Sequence, residues 1–404
     1  MNLNLTQPSA PTSVEVGPAQ RFNPVLLVLG LLLLSGLYAL PFVKVAPNRL
    51  LSGEPVYFFS LLTGVALLAV LPLVGLLASA GLKPGKLASR LAAVMAMVLI
   101  PCFLALAAGH ATQVAAGESA FARTALGGGF WLAVVSAGLV IADALNRVQA
   151  GRALRLVALL GVGLPLLVLL ASDWGDSLSI MKEFANRSDV FWLAVGRHLQ
   201  IVALSMAFAL AAGLPLGWGA HRWKRLGASL FPVLNIIQTI PSIALFGLLM
   251  APLAWLASRW PTLAQAGISG VGLAPGVIAL MLYSLLPVVR TTLTGLSSVP
   301  TAVMQAASGL GLSRWQRFWQ VQIPLAWPVV LGGVRTATVQ AVGLAAVAAL
   351  IGAGGLGAIM FEGLFSSAQD LVLLGVVPIV LMGALADGCF RLLARLTAHE
   401  GAHA

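Results

Sequence analysis

"QAASGLGLSRWQRFWQVQIPLAWPVV", residues Gln305–Val330, interrupts an otherwise very apolar chain with Arg314, Arg317, several glutamines and the ring residues Trp315, Phe318 and Trp319. The stretch carries too many rings for a disordered linker and too few charges for a soluble domain. Its meaning depends on which side of a membrane it lies, so the membrane is mapped first.

The chain is 59% hydrophobic and only 9% charged, against about 25% charged in ordinary soluble domains. So few charges cannot cover the surface of a soluble fold this long, and the composition specifies an integral membrane protein. The formal net charge of +11 does not point to nucleic acid, because polytopic proteins concentrate Lys and Arg in cytoplasmic loops. Cys102 and Cys389 both lie in apolar runs without metal-ligand spacing, so neither a disulfide framework nor a zinc site is expected. No cofactor is called for.

Apolar stretches of about 17–25 residues are candidate spans. They fall at about 25–43, 56–80, 88–108, 127–145, 153–171, 197–219, 227–250, 273–290, 325–350 and 371–393, about ten in all. The stretch before the first span is polar and holds Arg21 as its basic residue, unlike the basic start of a cleaved signal, so that span is expected to be retained. With the N-terminus inside, the basic loops at Lys83, Lys86 and Arg90, at Arg147, Arg152 and Arg155, and at Arg222, Lys224 and Arg225 are cytoplasmic. Arg314, Arg317, Arg391 and Arg395 fall on the same side, and the acidic segment with Asp173, Asp176, Glu183 and Asp189 falls outside. The expected organisation is a polar tail at 1–24, an N-terminal membrane region at 25–171, an external linker at 172–189, a second membrane region at 190–395 and a tail at 396–404. No convincing internal repeat is found, which counts against an inverted-repeat transporter.

Within the quoted stretch, Gln305-Ala306-Ala307 is followed after three residues by Gly311, and after nine more by Val321-Gln322-Ile323-Pro324. Small residues at 306, 307, 309 and 311 permit close helix approach, and Gly311 suits a break with positive φ. Trp315, Phe318 and Trp319 recur at i, i+3 and i+4, which places them on one helical face, with Arg314 and Arg317 on another flank. Trp and Arg at such a site also suit simple anchoring among lipid headgroups. The spacing resembles the cytoplasmic signature loop of binding-protein-dependent ABC importer permeases: Glu-Ala-Ala, three residues, Gly, nine residues, Ile-x-Leu-Pro. The departure is Gln305 in place of Glu, which keeps length and an acceptor oxygen but loses the charge.

The runs "HLQIVALSMAFALAAGLPLGW" from His198, "NIIQTIPSIALFGLLM" from Asn235, "LYSLLPVVRTTLTGL" from Leu282 and "GVRTATVQAVGLAAVAALIGAGGLG" from Gly333 resemble the branch that imports glycine betaine, choline and related quaternary amines. The resemblance covers about residues 190–395. It implies an all-α polytopic protein of the bacterial inner membrane with a MetI-like permease core. It also implies a separate ABC ATPase subunit docking on the loop of Gln305, Ala306, Ala307, Gly311, Arg314, Trp315, Arg317, Phe318 and Pro324. A periplasmic or lipid-anchored substrate-binding protein and a second permease subunit, a copy or a paralogue, complete the implied assembly. The extra N-terminal spans depart from the minimal permease and imply a longer osmoprotectant-type member.

Gln238, Thr239 and Ser242 flank Pro241 inside a span, where proline frees a carbonyl that polar neighbours can satisfy; with Asn235 they also suit the lining of a path. Tyr283 joins this candidate path group. One tyrosine is no aromatic cage for a quaternary ammonium, and in the family the cage belongs to the binding protein, so packing is its expected role. Arg290 ends a span and suits snorkelling, whereas Arg335 lies well inside one and needs a partner, with Asp143 and Asp387 as the candidates. Gly352–Gly357 fits G-x-G-x-x-G but follows a membrane helix rather than a strand, so no dinucleotide site is expected. The sequence contains no P-loop motif, so ATP is expected to be handled by a partner. The histidines are scattered, without a catalytic arrangement, and the chain reads as a transport subunit rather than an enzyme. The competing reading is an ion-gradient-driven secondary transporter, which needs intramembrane carboxylates such as Asp143 or Asp387.

Overall fold

A lipid interior offers backbone amides no partner, so long apolar runs close their hydrogen bonds internally as helices. The computed structural model describes residues 22–48, 51, 53–117, 121–265 and 267–400, with backbone alone after Leu396. Among them, nine helices are long and apolar enough to cross a membrane. The chain divides into two compact units, Met1–Lys182 and Glu183–Ala404.

The first unit begins with α1 (Pro24–Ala39), which Asn23 caps by accepting from the amides of Val25 and Leu26. The span expected at 25–43 is shorter than anticipated, at 16 residues, or about 24 Å at the helical rise. The chain extends at Leu40 and enters β1 (Val43–Ala46), which pairs antiparallel with β2 (Glu54–Val56) and β3 (Arg123–Leu126) in the order β2-β1-β3. Val43 lies opposite both Val56 and Leu126, so this small sheet gathers three distant pieces of chain. The helices α2 (Val70–Gly81), α3 (Lys86–Gly117), α4 (Gly128–Arg147) and α5 (Arg152–Leu170) complete the membrane part of this unit.

The core of this unit is aromatic. Phe42 makes edge-on contacts with Phe58, Phe103 and Phe130 at centroid distances of 5.2, 5.7 and 5.6 Å, the offset geometry ring quadrupoles favour. Close approach of α1 and α4 depends on Gly129, where a Cβ would lie 2.7 Å from the Gly36 carbonyl oxygen. The acidic segment expected as a linker is helical, forming α6 (Asp173–Asp176) and α7 (Ser179–Asn186). The tail expected at 1–24 lies outside the described residues up to residue 21, and the tail at 396–404 is helical as far as Glu400.

The second unit contains α8 (Ser188–Arg222), α9 (Lys224–Thr239), α10 (Ser242–Arg259), α11 (Pro261–Gln265), α12 (Leu273–Ser297), α13 (Thr301–Gly309), α14 (Arg314–Gln316), α15 (Ile323–Val347), α16 (Leu356–Phe365) and α17 (Gln369–Glu400). α12 sits between α8 and α15. A Cβ at Gly213 or Gly217 of α8 would lie 2.8 Å from Val288 Cγ1 or 2.5 Å from Thr292 Cβ, and one at Gly333 of α15 would lie 1.8 Å from Thr291 Oγ1. Glycine lets these helices pack nearly backbone to side chain, as small residues do in membrane bundles.

The span read as continuous at 227–250 is two helices. Ile240 is extended (φ −69°, ψ 127°), because the residue before a proline is pushed out of the α region and Pro241 has no amide to continue the ladder. The candidate partners of Arg335 are also resolved. Arg335 pairs with Asp387 of α17, whose other oxygen takes Arg391 at 2.8 Å, while Asp143 pairs with Arg147 at 2.6 Å. The carboxylates that an ion-coupled transporter would need are thus both held by arginines.

Candidate functional site

The segment around Gly311 forms a surface helix–turn–helix between α12 and α15. Pro300 precedes α13, its rigid φ suiting a helix start. α13 ends in a turn where the Gly311 amide donates to the Ser308 carbonyl and the Leu312 amide to the Ala307 carbonyl. Gly311 has φ +80°, the left-handed conformation expected of it. A Cβ there would meet no atom within 4 Å, so this glycine serves the backbone turn and not close packing. Of the small residues expected to pack, Ala307 is buried whereas Ala306, Gly309 and Gly311 are exposed.

Ser313 starts the next turn with a reciprocal cap: its hydroxyl accepts from the Gln316 amide at 3.3 Å, and Gln316 Oε1 accepts from the Ser313 amide at 2.8 Å. The Ser-x-x-Gln spacing that signals such a cap is present in the sequence, where the ring pattern overshadows it. A π-helical segment, Arg317–Gln322, continues from this turn and is closed by the Ile323 amide donating to the Phe318 carbonyl. π segments inside α-helices are uncommon and frequently mark functional sites. No local sequence pattern announces this one.

Trp315, Phe318 and Trp319 do form one ring cluster, with centroid distances of 5.4–6.2 Å. Phe318 also meets Trp218 of α8 at 6.1 Å. Together with Ile323 and Trp327 these rings line an apolar cleft of about 430 Å³. Trp315 is 70% exposed and Trp319 50%, an outward aromatic surface; Arg314, next to Trp315 in the chain, and Gln305 of α13 are exposed as well. Arg317 and Phe318 are half-buried and Pro324 is exposed. Phe318 packs inward on the small core of Leu296, Val299 and Ala326, which joins the loop to the ends of α12 and α15.

The second group of expected residues gathers at the α9–α10 break. The Tyr283 hydroxyl of α12 donates to the Ile240 carbonyl, and Gln238 Nε2 donates to the Tyr283 carbonyl. These two bonds hold the broken backbone against α12, and Tyr283 is buried, at 5% exposure. Thr239 Oγ1 donates back to the Ile236 carbonyl at 2.7 Å. Asn235, Thr239 and Pro241 are exposed on this unit, and Ser242 is half-buried. Arg290 lies over the Phe231 ring at 5.9 Å and donates to Asn235 Oδ1 at 3.4 Å, so it packs against α9 rather than only reaching toward headgroups.

Among the described residues, no group of three or more His, Cys, Asp or Glu side chains could hold a metal ion. The Gly352–Gly357 run forms a turn with Gly352, Gly354 and Gly355 all at φ +80°. Arg197 Nε donates to the Ala353 carbonyl at 3.0 Å, and buried His198 bonds through Nε2 to the Val342 carbonyl at 3.1 Å. These glycines therefore connect α15 to α16, and the run directly follows helix rather than strand.

Comparison with known proteins gives a consistent picture. Residues 207–399 match the family described as "Binding-protein-dependent transport system inner membrane component", and residues 20–181 match "ABC transporter permease YehY, N-terminal domain". The chain is 42% identical to the osmoprotectant import permease protein OsmW of Salmonella typhimurium, over 47% of this chain and 84% of that protein. It is 37% identical to OsmY of the same organism, over 59% of this chain and 92% of that protein. A solved structure of the inward-facing MetNI methionine ABC transporter is similar at 21% identity and a TM-score of 0.44, over 52% of this chain and 98% of that one. With relatives this similar over most of their own length, a matching transport-system component and, among the described residues, nine helices long and apolar enough to cross a membrane, the chain belongs to the osmoprotectant import permeases of ABC transporters and is a multi-pass protein of the bacterial inner membrane.

Proposed function

We propose that the chain imports a quaternary-amine osmoprotectant such as glycine betaine or choline, with a separate ABC ATPase docking on the α13–α14 loop. The observation that carries this reading is the loop itself. It is an exposed helix–turn–helix with a left-handed Gly311, an outward Trp315–Trp319 surface, and an inner face packed on the ends of α12 and α15. A partner pressing on such a loop would displace the two helices it joins. ATP binding would draw the loops of two permease subunits together and open the path outward, and hydrolysis would reset it. The second permease subunit is a copy or a paralogue, and a periplasmic or lipid-anchored binding protein delivers the solute.

The substrate class is supported by the relatives' names, which include a glycine betaine/carnitine/choline transport permease of Bacillus subtilis, OpuCD, 36% identical over 77% of its length. For the path, the reading uses Asn235, Gln238, Thr239, Pro241, Ser242 and Tyr283. Asn235 and Thr239 are exposed on this unit, and exposed polar side chains at the depth of a span need water or a protein neighbour rather than lipid. The first unit shares no motif with this path, and its expected role is assembly or regulation.

The test is uptake of labelled glycine betaine and choline into proteoliposomes holding permease, ATPase and binding protein, with ATP enclosed and an uncoupler added. Uptake that needs ATP and survives the uncoupler supports the reading. Uptake that ignores ATP and collapses with the uncoupler defeats it.

A further inference from the structure

One side chain at the exit of the loop bonds to two other helices. Gln322 ends the π segment, and its Nε2 group donates to the Leu296 carbonyl of α12 at 3.2 Å and to His221 Nε2 of α8 at 3.1 Å. The Leu296 carbonyl lies in the last turn of α12, where helix carbonyls lack intrahelical donors. The residue four positions on is Pro300, which has no N–H to offer. An amide side chain has two hydrogens, and both are used. Since Gln322 donates to His221 Nε2, that nitrogen accepts and the ring proton sits on Nδ1, which donates to Ser297 Oγ at 3.1 Å. A continuous line of hydrogen bonds therefore joins the ends of α8 and α12 to the base of α15.

The π segment makes this reach possible. One extra residue in a helical turn rotates everything after it by about 100° relative to an α-helix. Phe318 thereby stays in the ring cluster while Gln322 turns to α8 and α12. In the signature spacing Gln322 occupies the position between Val321 and Ile323 to which the spacing gives no residue type.

We propose that Gln322 and His221 are positioning residues for energy coupling. They lock the segment leaving the loop to the ends of α8 and α12, so that displacement of α13 and α14 moves all three helices together. The proposal rests on the reading that the loop receives an ATPase. A bond that merely stabilised the fold would lower hydrolysis and import alike; a coupling bond changes their ratio.

The experiment measures ATP hydrolysis and solute import on the same proteoliposomes containing the whole transporter. Gln322→Leu removes both donors at similar size. It should lower solute imported per ATP by about tenfold, within the usual range of coupling effects, while hydrolysis stays within about threefold. His221→Gln places an amide oxygen near the accepting ring nitrogen and should keep the ratio within about twofold. His221→Leu offers no acceptor and should behave like Gln322→Leu. An unchanged ratio in Gln322→Leu, or equal ratios in the two His221 variants, overturns the proposal. If Gln322→Leu does not assemble, the two His221 variants decide the question by themselves. ATP-independent import by the unsubstituted transporter would instead remove the coupling reading from which the proposal starts.

Discussion

The first unit buries rings against rings, with Phe42 in contact with Phe58, Phe103 and Phe130. The second packs glycines against neighbours, as the first also does at Gly129, and in addition it breaks its helices at Ile240 and through the π segment at Arg317–Gln322. Both lie among apolar membrane helices, yet only the second places hydrogen-bonding side chains from different helices at those breaks. Large interlocked rings give a core that resists deformation. Glycine contacts and hydrogen-bonded breaks allow close approach and rearrangement without emptying a core. The contrast is therefore between a unit built on a ring core and one whose helices are interrupted and cross-bonded.

The largest expected effect tests the ring core. Phe42→Ala should cost about 3–5 kcal/mol, the usual range for deleting a buried phenylalanine. Hydrogen exchange of the purified protein should show the loss in peptides from α1, α3 and α4. Equal loss in α12 would mean that the two units do not differ in this way.

The next effect tests the glycine contacts with neighbouring residues. Gly333→Ala forces a methyl onto Thr291, where the ideal Cβ lies 1.8 Å from Oγ1. It should destabilise by about 1–3 kcal/mol, as overpacking does. Gly332→Ala meets no atom within 4 Å and should be neutral or stabilising, since alanine favours helix over glycine by about 1 kcal/mol. Thermal unfolding in detergent distinguishes them, and equal melting temperatures would remove the close-packing argument.

Gly311→Val combines a stability effect of similar size with a large functional one. At φ +80° a β-branched residue is strained by about 1–3 kcal/mol, with no packing cost because the surroundings are open. The protein should reach the membrane at near-normal levels, fail to retain the ATPase on co-purification, and lose uptake. Normal retention and normal uptake would reduce the loop to an interfacial anchor. The smallest effect is Tyr283→Phe, which removes the donor to the Ile240 carbonyl. It should cost about 1 kcal/mol and loosen the α9–α10 break, read as faster exchange in residues 236–245. Unchanged exchange there would show that the proline alone maintains the break.

Much of this was legible in the chain because its causes are local. Hydropathy over a window of residues specifies a helix when the backbone has no other partner. A glycine at the expected distance from Gln305-Ala306-Ala307 specifies a left-handed turn because other residues resist it, and the i, i+3, i+4 spacing of Trp315, Phe318 and Trp319 already places the rings together. Other features escaped for equally physical reasons. The proline at 241 was visible and accounts for the extended Ile240, but the tyrosine that donates to the Ile240 carbonyl lies 43 residues away.

By itself, then, the sequence determined a membrane protein of many helices, the loop with its turn and ring face, and the family those motifs resemble. Tertiary structure decided which carboxylate neutralises Arg335, which hydroxyl caps the broken helix, and how Gln322 reaches a histidine 101 residues away. It also decided that Val43, Val56 and Leu126 would meet in a sheet. Hydropathy and backbone preference act between neighbours along the chain. A hydrogen bond or an ion pair depends on a few tenths of an ångström between groups that only the finished packing brings together.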